Sequence, residues 1–582
     1  MALFDLFDTE TEQHMIDLLR NRFAGQQRRR SRRFLAPLGI LSLLLAIPAS
    51  GQNRVTVTID LSKAVSILTD TSLGVPAPTF DGNAFHPDGV PYLRAAGVST
   101  LRFPGNHGVA DLYHWSTRTT TRYKGAEPGY FAPESNFANF AQFAEKLGQA
   151  LIVVNYGANF DGTGGGEPAE AAAWVAYANG DAADSRPLGK DSTGEDWKTA
   201  GYWAAIRGQA PLASDDGLNF LRIQHPRPFA FRLWQIGDQV YKNGFYGGDH
   251  VGNPDLHGPA PTALKDFGKL KNDPRLSPSA YAANLKVFVQ AMKAVDSSIQ
   301  IGVALTIPPD PAIKSRTRWV DGKEESDPSA WLASLWGIEW NKDVLKGACA
   351  NLDFVTLEWA MSPMLPPDWK TLDEPSLLNS TSSKVSMIID GMLADYGKYC
   401  PQGRVLPLAF APAEIPAWIK VEHPEVKALW IADTYAMLIE SRSVNIDWNE
   451  MYGGSMLSAD RKKAGPAYYG LQMLHILAHN PGDALVDART SNSSLVSVHA
   501  TVRRDGIIGL MLVNKDPKAQ ATVKVTFKNG TLGATGRRID YGSAQFAAGT
   551  PVAQSAFTAP GNEFTVTVPA YTVTDILLPS HK

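Results

Sequence analysis

The feature that most limits what this chain can fold into is a strict alternation. Eight short apolar, β-rich runs are separated by longer amphipathic stretches between residues 73 and 448. The runs are Leu73–Phe80, Ser99–Phe103, Ala150–Tyr156, Phe229–Ile236, Ile299–Leu305, Leu352–Trp359, Val405–Phe410 and Val444–Trp448. They are nearly continuous in apolar residues, which marks strands buried on both faces and hence a parallel sheet. Between them, apolar spacing predicts helices such as Asn136–Leu147, Pro168–Ala178, Ala280–Val295, Ser383–Tyr396 and Val426–Glu440. Eight strand–helix units in succession predict an α/β fold closed into a (β/α)8 barrel, a TIM barrel, whose functional groups gather at the C-terminal strand ends.

The chain of 582 residues is too long for one ordinary compact domain. Past Asp483 the texture changes to short alternating runs, Ser494–Ala500, Ile507–Val513, Thr522–Phe527, Phe564–Val568 and Val573–Leu578, parted by turns rich in Gly, Asp and Asn. That pattern predicts an antiparallel β-sandwich over 483–582, with an early strand in 53–70 joining it and the barrel occupying 71–482. Two long polar insertions, Asn159–Asp215 and Lys242–Arg275, follow barrel strands on the face where a site belongs.

Residues 1–52 differ from everything after them. A basic cluster of Arg28, Arg29, Arg30, Arg32 and Arg33 precedes the apolar run Phe34–Ala49, which ends in Pro48-Ala49-Ser50-Gly51. This is the pattern of a secretory signal peptide or, left uncleaved, a membrane anchor. The expectation is a secreted, periplasmic or outward-facing anchored protein that meets a membrane only through this segment. A net charge of -3 offers no basic face for nucleic acid. The 12 histidines show no metal-ligand spacing, and His250 and His257 fall in a Gly- and Asp-rich insertion that reads as turns. The Gly162–Gly166 stretch lacks the Gly-Lys-Ser/Thr ending of a phosphate loop. No metal and no cofactor is expected. Cys349 and Cys400 are expected as two buried thiols, a single bridge being the alternative.

Several segments recur in a fixed order, the first four of them at or after barrel strands and the last two farther on. They are Arg102-Phe103-Pro104-Gly105-Asn106, Asp111-Leu112-Tyr113-His114-Trp115, Val154-Asn155-Tyr156-Gly157, Trp234-Gln235-Ile236-Gly237-Asp238-Gln239-Val240-Tyr241, Tyr469-Gly470-Leu471-Gln472 and Leu512-Val513-Asn514-Lys515. In order and spacing they resemble the α-L-arabinofuranosidases, retaining glycosidases built on (β/α)8 barrels, across residues 70–580. The resemblance implies a glycoside hydrolase with an acid/base Glu closing the fourth strand and a nucleophilic Glu closing the seventh. Retaining cleavage sets those two carboxyls ~5–5.5 Å apart.

Both matched positions depart from that pattern. Gln239 stands at the acid/base position, and an amide has no proton to give. The nucleophile position falls at Pro412. Where the family carries His-Trp at the end of the sixth strand, this chain has Glu358-Trp359. Carboxylates at other strand ends are candidates for a relocated pair: Glu358, Glu414 and Glu450. Candidate sugar contacts are Arg102, Asn106, Asn155, Tyr156, Trp234, Asp238, Tyr241 and Trp359, of which one tryptophan is expected in the core. Arg102 serves equally well as a core ion-pair partner, and His114 reads as structural. Three readings follow. One is a protein that binds poly- or oligosaccharide in the barrel cleft with the family dyad lost. The second is an active glycosidase using relocated carboxylates. The third is an envelope interaction protein.

Overall fold

The computed structural model describes residues 53–105, 110–121, 130–242, 255–258, 273–308, 317–320, 323–326, 338–360, 373–415 and 421–581. The basic and apolar N-terminal segment, Asn106, His250 and most of the second insertion lie outside the described residues. Among the described residues, no helix is long and apolar enough to cross a membrane.

Eight strands close a barrel in chain order: Leu73–Pro76, Thr100–Phe103, Gln149–Val154, Leu233–Ile236, Gln300–Leu305, Phe354–Ala360, Leu408–Glu414 and Asn445–Asp447. Every neighbouring pair is parallel, and the eighth strand pairs with the first through Ile446 and Leu73. The strands are short and buried, because helices cover their outer faces and side chains fill the lumen.

Helices begin where the sequence supplies caps. Asn136 accepts from the Asn139 backbone N–H at 3.1 Å and opens Phe137–Leu147, and Ser277 accepts from Ala280 at 3.1 Å with Pro278 following. The helix Glu374–Tyr399 is longer than apolar spacing predicts. Its first half is rich in Ser and Thr, and those hydroxyls return to the helix itself, Ser386 bonding to the Ser382 carbonyl at 2.8 Å. The helix Val426–Glu440 is apolar on nearly all sides because it is covered twice, by the barrel within and by the second sheet without.

Among the described residues that second sheet has ten strands, antiparallel where Asn53–Ile67 meets Ala484–Thr490 and where the C-terminal strands meet one another. Asn53–Ile67 sits inside it, between Ala484–Thr490 and Ala521–Lys528. Val55, Val57, Ile59, Val498, Val523 and Ile576 share one buried cluster, so the N-terminal strand is part of the same core as the C-terminal ones. Sheet and barrel are fastened by buried charge. His499 on the sheet bonds Asp433 at 3.0 Å and Glu440 at 2.9 Å, both on the helix Val426–Glu440, and Lys515 reaches Asp433 at 2.7 Å.

One expectation is corrected. The cysteines are not free thiols: Cys349 and Cys400 form a disulfide, with Cα atoms 5.6 Å apart. Cys349 follows the helix Ile338–Ala348 and Cys400 caps Glu374–Tyr399, so the packing of neighbouring helices brings together residues that the sequence leaves far apart. The first insertion, read from sequence only as a long polar stretch, has structure of its own. It carries the helix Ala200–Gly208 and buries Trp197 and Trp203, and Arg207 donates to the carbonyls of Gly180 and Pro226 at 3.1 and 3.2 Å.

Candidate active site

The fourth strand ends in a turn that only glycine fits easily. Gly237 has φ +73°, and a Cβ there would lie 2.6 Å from the Val240 side chain. Gln239, two residues on, is held at φ 37°, a conformation a side chain with a Cβ adopts at a cost. The turn directs the Gln239 amide to the Glu358 carboxylate on the sixth strand, and the Tyr241 hydroxyl donates to the same carboxylate at 3.2 Å. Glu358 alternates along its strand with Trp359, which packs on Trp430 of the outer helix layer, so Glu358 faces the opposite way, toward the lumen.

Below this pair is an ionic floor. Arg102, from the second strand, meets Asp238 at 2.6 Å, both almost wholly buried. Among the described residues, the Nε and Nη1 hydrogens of Arg102 have no hydrogen-bond partner. Asp111 accepts from the backbone N–H groups of Asp238 at 2.9 Å and Tyr156 at 3.2 Å, tying the ends of the third and fourth strands together. Burial, with the Asp238 charge adding to it, raises the Asp111 carboxyl well above the usual range. Asp447 ends the eighth strand over Gly74, where a Cβ would fall 2.0 Å from its Oδ1. Arg102, Asp111, Asp238 and Asp447 thus stand at the C-terminal ends of three strands, the second, fourth and eighth, or just beyond them, where a barrel site belongs.

The seventh strand revises the position of the strand-end carboxylate. The sequence places its end at Phe410 and the family nucleophile position at Pro412, but the strand continues to Glu414. Between the pairs Leu357–Phe410 and Trp359–Ala413, one residue on the sixth strand faces two on the seventh, Ala411 and Pro412. This is a β-bulge, and it accommodates a proline that has no N–H for the ladder. Glu414 then pairs with Ala360, two residues beyond Glu358 on the neighbouring strand.

Other sequence candidates stand apart from this group. Trp234 is buried edge-on against Trp174 of the helix Pro168–Asn179, and Trp359 against Trp430, so both are packing residues of the outer layer. Asn155 is used locally, bonding the carbonyl of Ala158 at 2.8 Å and its N–H at 3.2 Å. Tyr156 accepts from Asn284 at 3.0 Å and is fully buried. Glu450 accepts from the Ser455 hydroxyl at 3.0 Å and shapes the turn after the eighth strand. His114 is a buried structural group, bonded to Glu170 at 3.0 Å and stacked on Phe160 at 4.0 Å. Sequence reasoning named Asp111 only within a motif; its place between two strand ends is a tertiary property with no periodic signature.

No family model matches the sequence, and no curated protein matches it. The fold does match solved structures. The α-L-arabinofuranosidase of Thermotoga maritima in its arabinose complex superposes with a TM-score of 0.60 at 14% identity, over 90% of this chain and 100% of that one. The family 51 arabinofuranosidase of Xanthomonas axonopodis pv. citri gives 0.59 at 18% identity, over 90% and 100%. A Paenibacillus polymyxa xyloglucanase of glycoside hydrolase family 44 gives 0.54 at 12%, over 90% and 100%. The chain has the barrel-plus-sheet fold of these glycoside hydrolases.

Proposed function

We propose that this chain is a glycoside-hydrolase-like protein that binds a poly- or oligosaccharide in the barrel mouth without the retaining chemistry of the enzymes it resembles in fold. The carrying observation is the amide of Gln239 set against the Glu358 carboxylate. A retaining acid/base must give and take a proton beside a nucleophile. An amide does neither, and Glu358 is engaged by two donors. What remains is a mouth of fixed donors and acceptors, Arg102, Asp238, Gln239, Tyr241 and Glu358, of the kind that holds sugar hydroxyls.

A second reading rests on the bulge. Glu414 at the end of the seventh strand, one strand over from Glu358, gives an active glycosidase with relocated carboxylates. Sugar release by the full chain on aryl glycosides and polysaccharides separates the two. Turnover abolished by Glu414→Gln establishes the second; retention on a polysaccharide without turnover establishes the first; neither retention nor turnover refutes both.

Export is part of the proposal. Its supports are the arginine-flanked apolar segment and a disulfide that needs an oxidising compartment. A C-terminal epitope found only in the cytoplasm would overturn it.

A further inference from the structure

Beside the barrel mouth is a cleft of about 640 Å³ between the glycine-rich loop Gly162–Gly166 and the helix Pro278–Val295. None of the mouth carboxylates lines it. His257 forms part of its wall, clamped between two surfaces. One face of the ring stacks on Tyr156 at 4.4 Å, and the other lies over Gly165, where a Cβ would come within 2.1 Å. Its Nδ1 is bonded to Asp255 at 2.7 Å, which fixes the orientation of the ring.

The walls differ in chemistry. Leu256, Val287 and Phe288 give an apolar side, while Glu167, Ser192 and His257 give a polar one. The loop is not an anion cradle. The N–H groups of Thr163 and Gly164 are both spent on Asn159 Oδ1 at 3.0 Å, that of Gly166 on the Tyr156 carbonyl at 2.7 Å, and the Glu167 carboxylate stands in the cleft. Arg275 is paired with Asp273 at 2.7 Å, and the Glu167 carboxylate accepts from the Ser192 backbone N–H at 3.1 Å, so both charges are engaged within the protein. A ligand with one apolar face, a rim of hydroxyls and no net charge fits such walls, which describes a sugar ring.

We propose that this cleft is a second glycan-binding site, taking a neutral sugar ring of the same chain or branch that enters the barrel mouth. The proposal rests on the carbohydrate reading above. Tyr156 separates the two sites: its backbone N–H bonds Asp111 of the mouth, and its hydroxyl bonds Asn284 of the cleft.

The test is affinity electrophoresis of the full chain through gels holding arabinan, arabinoxylan or xyloglucan. Val287 is 54% exposed, so Val287→Trp and Val287→Arg obstruct the cleft without touching the core, and a thermal melt confirms that both fold. The expected result is wild-type retention on at least one polymer, weakened threefold or more by both variants. Retention unchanged in both variants overturns the second site and leaves the mouth reading standing. Wild type unretained on every polymer removes the carbohydrate reading, and this proposal with it.

Discussion

Gln239 and Glu358, 119 residues apart in sequence, meet across the barrel mouth with the amide of one donating to the carboxylate of the other. Gln239→Glu replaces that hydrogen bond with two carboxyls in contact. Both cannot ionise at that range without cost, so one pKa rises and its proton becomes part of the fold. A raised carboxyl pKa in the folded state stabilises at low pH and is lost as pH rises. The variant is expected to match wild type near pH 5 and to fall behind it by on the order of 1–3 kcal/mol near pH 8. Denaturant titrations at the two pH values check this; an equal deficit at both would show that the side chains are not in contact.

Arg102→Leu leaves Asp238 and Asp111 buried together without the guanidinium that compensates them. Removing one partner of a buried pair costs about 3–5 kcal/mol. Urea unfolding should show that loss, and the Arg102→Leu/Asp238→Leu double variant should recover much of it. A double variant no better than the single would place the effect elsewhere.

His499 makes the sheet-to-barrel contact pH-sensitive. Burial opposes its charge, but the Glu440 and Asp433 carboxylates outweigh burial and hold its pKa at about 9. A histidine raised above its unfolded value near 6.5 contributes stability that is full below that pH and vanishes through about 9. The loss is on the order of 3 kcal/mol. Melting temperature should fall across this window, and His499→Gln should be less stable at pH 6 with a flatter profile. A wild-type curve flat from pH 6 to 9 would contradict the ionised network.

The Cys349–Cys400 bridge closes a loop with a sequence separation of 51 residues. Restricting an unfolded loop of that size contributes about 4 kcal/mol in the chain-entropy model. Cys400→Ser should therefore melt well below the oxidised wild type and coincide with reduced wild type. If reduction leaves the melt unchanged, the bond does not form in the protein as purified.

The strands were legible because burial on both faces writes itself as a continuous apolar run, and all eight barrel strands fall within or overlap the runs read from sequence. The sheet strand Ala553–Thr558 carries no such signal. It lies at the edge of the sheet, nearly all its residues are exposed, and nothing there selects apolar side chains. Of the residues at the mouth, Asp238 and Glu358 were picked out by strand-end position, and Gln239 and Tyr241 by the segment that carries the resemblance. Trp234 was misleading for the same reason: a residue at a strand end has two faces to choose from, and alternation along a short strand does not say which is the lumen. Glu414 was named in the sequence but separated from its strand, because Pro412 looks like a terminator until a bulge is known to absorb it.

The sequence by itself determined much of the local content: the eight barrel strands, several of the helices between them, and residues that stand at strand ends. Those properties follow from periodicity and from the chemistry of single residues. Only the tertiary structure decided who meets whom. The pairing of Gln239 with Glu358, of Cys349 with Cys400 and of His499 with Asp433 joins segments 51 to 119 residues apart. Barrel closure, strand register and the docking of the sheet fix those distances, and none of the three leaves a periodic trace in the chain.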